Sequence, residues 1–369
     1  MNIVFITMDG AREDRMFNSK NYENLIRESA FFSRVIPYAP FTIAAMHAIF
    51  SGVYGFKNGV NSYWSSSNFK KNLYKTLPKF LSENGYHTFG DSINKLILPS
   101  DGFDELNIHD ELNDDLTERH KLLLEKMKEL KQTGNPFFLY LHYSKIHTGI
   151  MQEVLKKYDD FSKEYFSNKE KNAQFYDQLF DNADEYLGKI YQHFKFLGLE
   201  ENTLLIIISD HGISIGEKFG ERAYGVFCYD TTLISTALFH HPKISPIVVK
   251  NQVRSVDILP TILEFLKIPI DENHNKIDGK SLIPIMNGKK ESRISFSQSG
   301  NPLKSGKPPK EPNVYAIRTD DWKYIKNIYD NTEELYNIID NPNETINLID
   351  QEKEKTDYMR LEMNRILNS

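Results

Sequence analysis

The chain has 369 residues, which suffices for one large domain with an appendage or for two domains. Its 45 Lys and Arg against 51 Asp and Glu leave a net charge of −6, which gives no overall attraction to nucleic acid or to an anionic membrane. The single cysteine, Cys228, excludes an internal disulfide and any Cys-rich zinc or redox framework.

The first apolar run, Ile3–Met8, is too short for a signal peptide because it stops at Asp9. No later segment approaches the ~20 uninterrupted apolar residues of a transmembrane helix. We therefore expect a cytoplasmic protein that does not span a membrane.

Three short runs of apolar and β-branched residues predict buried strands: Ile3–Met8, Phe137–His142 and Leu204–Ser209. Helix-like stretches with an apolar face precede the second and third runs, at Glu118–Gln132 and Phe175–Phe196. Alternating strands and helices predict an α/β fold whose central sheet is mostly parallel and is covered by helices on both faces.

The chain changes character after residue 288. Lys289–Pro312 is polar and rich in Ser, Lys, Gly and Pro, which indicates a loop or linker. Val314–Thr319 and Lys323–Ile328 then predict an antiparallel hairpin, and Ile349–Leu367 predicts a charged amphipathic helix. We expect a catalytic domain and a small α+β subdomain, at residues 1–288 and 289–369.

Polar residues stand where the predicted strands end: Asp9, His142 and Asp210. In α/β sheets, ligands bind beyond the carboxyl ends of the strands. Asp210 and the adjacent His211 can offer a carboxylate and an imidazole to one cation, although a loop-capping Asp beside a surface His would look the same. Asp9 with the following glycine is either a further ligand or a simple turn.

Thr42 precedes an Ala-rich apolar run that predicts a helix. Its hydroxyl would lie at the positive end of the helix dipole. Thr42 is therefore either an N-cap or, beside a bound cation that lowers its pKa, a nucleophile.

The order of Asp9, Thr42, Gly52, His147 and the Ser-Asp-His-Gly segment at 209–212 resembles the sulfatase branch of the alkaline phosphatase superfamily. Segments further along the chain share the resemblance: Val256–Leu263, Asp278–Leu282, Met286–Gly288, Ala316–Ile325 and Glu334–Leu348.

The resemblance implies one divalent metal ion, which could be Mn²⁺, Zn²⁺, Mg²⁺ or Ca²⁺. Its expected ligands are Asp9, Thr42, Asp210 and His211. Thr42 falls at the family's nucleophile position, and His147 resembles the histidine that contacts the anionic group or the leaving oxygen. Arg222, and more loosely Lys218, could be a cation near the ester or a surface charge in a long loop.

Several positions depart from the family pattern. Sulfatases use a Cys or Ser that is converted to formylglycine, and threonine is not a substrate for that conversion. Ala44 and Met46 stand in place of the proline and arginine that follow the nucleophile, and Gly10 in place of a second aspartate. Asp91 stands in the segment where the family places a lysine and a histidine. His47 is a candidate substitute for the arginine, or a partly buried helix histidine.

Three hypotheses follow. The leading one is a phosphoesterase or phosphotransferase that cleaves a phosphodiester or phosphonate ester through a covalent Thr42 intermediate. The second is a sulfate ester hydrolase with an unmodified threonine. The third is an inactive module that binds an anionic glycan or lipid headgroup. The expected partner is a small anionic ester: a phosphorylated or sulfated sugar, a lipid headgroup or a nucleotide-like molecule.

Overall fold

A computed structural model describes residues 1–131, 134–270 and 276–369. Within these ranges no helix is long and apolar enough to cross a membrane. The strands of the same ranges are β1 (Asn2–Met8), β2 (Ala30–Ile36), β3 (His87–Ser92), β4 (Glu105–Ile108), β5 (Phe137–Tyr143), β6 (Thr203–Ile208), β7 (Ser235–His240), β8 (Ile247–Val249), β9 (Val253–Arg254), β10 (Ser295–Ser299), β11 (Val314–Arg318), β12 (Trp322–Asn327) and β13 (Thr332–Asn337).

The helices are α1 (Glu13–Met16), α2 (Lys20–Arg27), α3 (Thr42–Ser51), α4 (Gly55–Asn58), α5 (Leu77–Glu83), α6 (Leu116–Lys131), α7 (Lys145–Ile150), α8 (Lys163–Ser167), α9 (Lys169–Phe196), α10 (Asp230–Leu233), α11 (Ile258–Leu266), α12 (Ile283–Met286) and α13 (Lys353–Leu367). A π-helical turn at Met151–Leu155 continues α7. The predicted helix end at Gln132 lies outside the described residues.

The large sheet has the strand order β4-β3-β5-β1-β6-β7-β2-β8, and β9 also pairs with β2. β1 pairs in parallel with β5 on one side and with β6 on the other, so Thr7 lies opposite both His142 and Ile208. Only β7 runs antiparallel to its neighbours among the described strands of this sheet. The predicted mostly parallel α/β sheet is confirmed.

β1 is buried along its whole length because helices cover both faces of the sheet. On one face Val4, Ile6 and Met8 pack in a core that includes Leu187 of α9. On the other face Ile3 and Phe5 pack in a core that contains residues of α3 and α11. Burial on both faces explains why the central strands read as continuous apolar runs rather than as an alternating pattern.

The second sheet is antiparallel, with the order β10-β11-β12-β13. The predicted hairpin is present as β11 and β12, and the terminal helix begins at Lys353 rather than at Ile349. The prediction of a continuous loop over Lys289–Pro312 is wrong, because this segment contains β10. β10 has the sequence SFSQS, and two of its three hydroxyls bond to neighbouring backbone carbonyls, that of Ser297 to Pro37 at 2.7 Å and that of Ser295 to Arg318 at 3.4 Å. A buried strand with so many polar residues gives little hydrophobicity pattern.

Candidate metal centre and active site

Two carboxylates meet at the carboxyl edge of the sheet. Asp9 directly follows β1, Asp210 lies two residues beyond β6, and both are completely buried. Gly10, which follows Asp9, turns the chain with φ +74°. Its N–H donates to Asp210 Oδ1 at 3.2 Å and so links the two strand ends. A Cβ at this position would approach the Ile213 side chain to 2.9 Å, so the tight turn requires glycine.

The His211 ring completes the cluster. Its Nδ1 lies 2.8 Å from the Gly212 carbonyl oxygen, which can only accept, so Nδ1 carries the proton. Nε2 then presents a lone pair, 3.6 Å from Asp9 Oδ1 and 3.6 Å from Asp210 Oδ2. Three electron-rich atoms therefore face one point, which is the arrangement of metal ligands.

Asp9 Oδ1 and Asp210 Oδ2 are both buried and have no hydrogen-bond partner in the described residues. Burial and then the negative charge of Asp9 raise the pKa of Asp210. Burial also acts to raise the pKa of Asp9. The neighbouring histidines have the larger combined effect in the opposite direction, with His147 the strongest among them, and they hold the pKa of Asp9 well below its usual range. Orphaned carboxylate oxygens in a buried site call for a cation, so the donor set fits a divalent metal.

Thr42 is the first residue of α3, and Phe41 precedes the helix. The Thr42 hydroxyl makes no capping hydrogen bond; it lies 3.3 Å from Asp9 Oδ2 and 3.3 Å from His211 Nε2. The N-cap alternative for Thr42 is therefore wrong. With 6% of its surface exposed, Thr42 stands between the ligand cluster and solvent.

His142 is a site residue that the sequence placed at a strand end without giving it a role. Its Nε2 lies 3.1 Å from Asp9 Oδ2, and its Nδ1 lies 2.9 Å from the Tyr140 hydroxyl. With Tyr140 donating to Nδ1, His142 donates from Nε2 to Asp9 and turns the other carboxylate oxygen, Oδ1, toward the cluster.

His147, on α7, reaches the same cluster. Its Nδ1 lies 3.8 Å from Asp9 Oδ1 and 3.1 Å from the Tyr224 hydroxyl. The Tyr224 ring also covers His211, with 4.9 Å between the ring centroids. The His147 side chain is 18% exposed, so it lies at the open side of the cluster and can meet a ligand.

The other predicted cations are engaged elsewhere. Arg222 pairs with Asp160 at 2.8 Å, while its Nε is buried without a partner in the described chain. Lys218 donates to the Glu344 carbonyl and lies 4.3 Å from the Tyr229 ring centroid. His47 does not join the cluster, because its Nδ1 bonds to the carbonyl of Ile43 at 2.7 Å and burial lowers its pKa to about 4. It is a buried helix histidine.

The family model for Sulfatase matches residues 1–268, which is most of the chain. The chain belongs to the sulfatase family. A second family model, N-sulphoglucosamine sulphohydrolase, C-terminal, matches residues 224–368. Sulfatase-family members are metal-dependent, in keeping with the buried Asp9, Asp210 and His211.

Two curated relatives show how low the sequence identity to this chain is within the sulfatase family. Arylsulfatase K of Bos taurus is 30% identical over 173 residues, 43% of this chain and 30% of that protein. The uncharacterized sulfatase YdeN of Escherichia coli is 22% identical over 259 residues, 61% of this chain and 45% of that protein. The matches thus span less than half the length of these relatives.

Solved structures share the fold along the whole chain. A 2-O GAG sulfatase superposes with a TM-score of 0.76 at 17% identity, covering 100% of this chain and 91% of the other. A protein solved in complex with its substrate D-glucosamine-2-N,6-O-disulfate has a TM-score of 0.73 at 17% identity, with 99% and 97% covered. The phosphonate monoester hydrolase of Agrobacterium radiobacter has a TM-score of 0.75 at 15% identity, with 100% and 95% covered.

Proposed function

We propose that this sulfatase-family protein is a metal-dependent ester hydrolase or transferase in which Thr42 forms a covalent intermediate, and that it prefers phosphodiesters or phosphonate esters to sulfate esters. One observation carries the proposal. The Thr42 hydroxyl lies 3.3 Å from both Asp9 and His211, beside two carboxylate oxygens that lack partners.

The residues that would hold the metal are Asp9, Asp210 and His211, with the Thr42 hydroxyl as a further ligand. The bound ion would lower the pKa of the nucleophilic hydroxyl and offset negative charge on the ester. His142 keeps Asp9 in the orientation that this requires.

The chain's own groups can orient the reacting protons. The Thr42 hydroxyl can donate a hydrogen bond to Asp9 Oδ2 at 3.3 Å, and its proton would leave to solvent, because the low pKa of Asp9 makes that carboxylate a poor base. As the Thr42 oxygen bonds to phosphorus, the bond to the leaving oxygen breaks. Tyr224 can donate to His147 Nδ1, because burial keeps the Tyr224 pKa well above its usual value. The ring proton of His147 then resides on Nε2, from which it can stabilise or protonate the leaving oxygen.

The preference for phosphorus rests on the residue type at position 42. Formylglycine, once hydrated, carries two hydroxyls on one carbon, and the second hydroxyl can expel sulfate from the first. A threonine ester has no second hydroxyl on the same carbon, so it cannot release sulfate in this way. The intermediate must be resolved by attack of water or an acceptor alcohol on the transferred group, which breaks the bond to the Thr42 oxygen and regenerates the hydroxyl. Phosphoryl groups on hydroxyl nucleophiles are resolved in this way.

Sulfate ester hydrolysis is the second candidate function. The names of the relatives favour it, because arylsulfatase K and the glycan sulfatases are similar to this chain in sequence or fold. The corresponding substrate would be a sulfated sugar, whereas the first candidate would act on a phosphorylated sugar, a lipid headgroup or a nucleotide-like ester.

The test is a panel of aryl phosphate, phosphodiester, phosphonate ester and sulfate ester, assayed with the protein loaded in turn with Mn²⁺, Zn²⁺, Mg²⁺ and Ca²⁺. Thr42→Ala should lower turnover by about 10³-fold or more, and Thr42→Ser should retain part of it. Thr356→Ala, which removes a buried hydroxyl from α13, is the matched control.

Mass spectrometry of the quenched reaction should find the transferred group on the peptide that contains Thr42. Full turnover by Thr42→Ala would disprove the nucleophile. Faster turnover of the sulfate ester than of every phosphoester would establish the second candidate. Binding of both a metal and an anionic ester, without turnover of any ester, would instead indicate an anion-binding module.

A further inference from the structure

A second buried polar cluster lies at the same edge of the sheet, around Asp91 at the end of β3. Asp91 is fully buried and makes hydrogen bonds through both oxygens. Arg119 binds Oδ1, with Nη2 at 2.7 Å. His109 Nδ1 and His120 Nε2 bind Oδ2 at 2.8 and 3.0 Å. The residue that departs from the family's lysine–histidine segment is thus the centre of a network of its own.

The hydrogen bonds define the proton positions. Asp91 accepts from both rings, so His109 is protonated on Nδ1 and His120 on Nε2. The free nitrogens then accept: His109 Nε2 from the Ser144 hydroxyl at 3.1 Å, and His120 Nδ1 from the Tyr186 hydroxyl at 2.6 Å. The Arg119 charge balances Asp91, and every ring nitrogen has a partner.

This network differs from the metal centre although both contain carboxylate and histidine. Around Asp9 the ligand atoms are 3.6 Å apart and two carboxylate oxygens are orphaned. Around Asp91 the separations are those of hydrogen bonds, and Arg119 already supplies the cation. The Asp91 network is therefore built to hold neutral imidazoles in place.

What the network holds is the start of α7. Ser144 immediately precedes this six-residue helix, and its carbonyl accepts the N–H of Thr148 at 2.8 Å. Glu111, two residues after His109, accepts from Lys145 Nζ at 2.9 Å and from Thr148 Oγ1 at 3.0 Å. A helix this short is not stable by itself, so its position depends on these contacts together with the packing of Ile146 and Ile150 in the core. α7 carries His147.

We propose that Asp91 and His109 form a positioning relay which fixes Ser144, and through it α7, so that His147 lies against the metal centre. Asp91 orients the His109 ring, the ring orients the Ser144 hydroxyl, and His147 follows three residues later. The assignment rests on the proposed function for the role of His147, but not for the docking of α7. Asp91, His109 and Ser144 are all buried, so we expect them to act on the reaction through the position of His147.

Ser144→Ala removes the link between the relay and α7. Tyr186→Phe is the matched variant, because it removes one hydroxyl from the same network but the one that bonds to His120, and it leaves the His109–Ser144 contact in place. Each variant leaves one imidazole nitrogen without its donor, so both should lower Tm by a similar amount. Only Ser144→Ala should lower kcat, by about tenfold with KM nearly unchanged, since misplacing a reacting group costs rate rather than ground-state binding.

Hydrogen–deuterium exchange provides a readout that does not need a substrate. In Ser144→Ala the amides of residues 145–150 should exchange at least severalfold faster, and in Tyr186→Phe they should exchange as in the wild type. If no ester is turned over by the wild type, the proposed function fails and the exchange result alone decides the positioning role. Wild-type exchange in Ser144→Ala, or an equal loss of kcat in Tyr186→Phe, would overturn the relay.

Discussion

Replacing Asp210 with asparagine distinguishes two effects of the buried carboxylate pair: the stability that the pair costs in the absence of a metal, and the stabilisation that it gains when a metal binds. Asp210 Oδ1 accepts the Gly10 N–H, which an amide oxygen can also do. Oδ2 has no partner and lies 3.6 Å from the His211 Nε2 lone pair. The NH₂ of asparagine at this place would face an acceptor, and the repulsion with Asp9 would disappear.

In chelator, Asp210→Asn should therefore be more stable than the wild type, by about 1–3 kcal/mol, the usual cost of an unsatisfied buried polar group. For a chain of 369 residues each kcal/mol corresponds to about 1–2 °C in Tm. With a divalent metal at about a thousand times its Kd, the wild type should gain about 4.1 kcal/mol and the variant little, because a carboxylate ligand is missing. The order of the two Tm values should then reverse.

Asp184→Asn is the matched control. Asp184 is also a buried aspartate, but its Oδ1 accepts the backbone N–H groups of Asn21 and Tyr22, and its Oδ2 accepts from the Asn21 amide at 2.9 Å. This variant should be less stable than the wild type in chelator and should keep the full metal response.

The assay is thermal unfolding followed by circular dichroism, in chelator and in each of Mn²⁺, Zn²⁺, Mg²⁺ and Ca²⁺. The metal that gives the largest wild-type shift identifies the preferred ion. The reasoning is refuted if Asp210→Asn is less stable than the wild type in chelator and still gains the full stabilisation from that metal.

Three further outcomes are expected. Burial raises the pKa of Glu221 to about 8, so the free energy of unfolding of the wild type should fall as pH rises from about 4.5 to 8. Glu221→Gln lacks this titration. In urea titrations the difference in unfolding free energy between the variant and the wild type should therefore grow by about 2 kcal/mol, in favour of the variant, from about pH 6 to about pH 8. Lys323→Met should cost roughly 3–5 kcal/mol by chemical denaturation, because it removes the cation paired with the buried Glu344 and leaves Asp230 with Arg318 alone, whereas equal stability would mean that Glu344 is otherwise compensated. Burial raises the pKa of Cys228, so a thiol reagent should label it only after unfolding, and fast labelling of the folded protein would contradict its burial.

The local sequence was sufficient for the fold class, and together with the family resemblance it singled out Asp9, Asp210 and His211, which the structure brings together. Asp9 and Asp210-His211 each follow a run of apolar residues, and such a run ending in a polar residue marks a buried strand and its end without knowledge of the partner strands. The same reasoning failed for Ser295–Ser299, because a buried strand with three serines and a glutamine leaves little hydrophobic signal.

Only the tertiary structure decided which polar side chains face each other. The adjacency of β3, β5, β1 and β6 brings the strand ends that carry Asp91, His142, Asp9 and Asp210 to the same edge of the sheet. The tertiary structure also pairs Arg222 with Asp160, and it places the Thr42 hydroxyl beside Asp9 and His211. The physical reason is that a strand end is a local property of the chain, whereas the partner of a charge depends on which distant segment folds beside it.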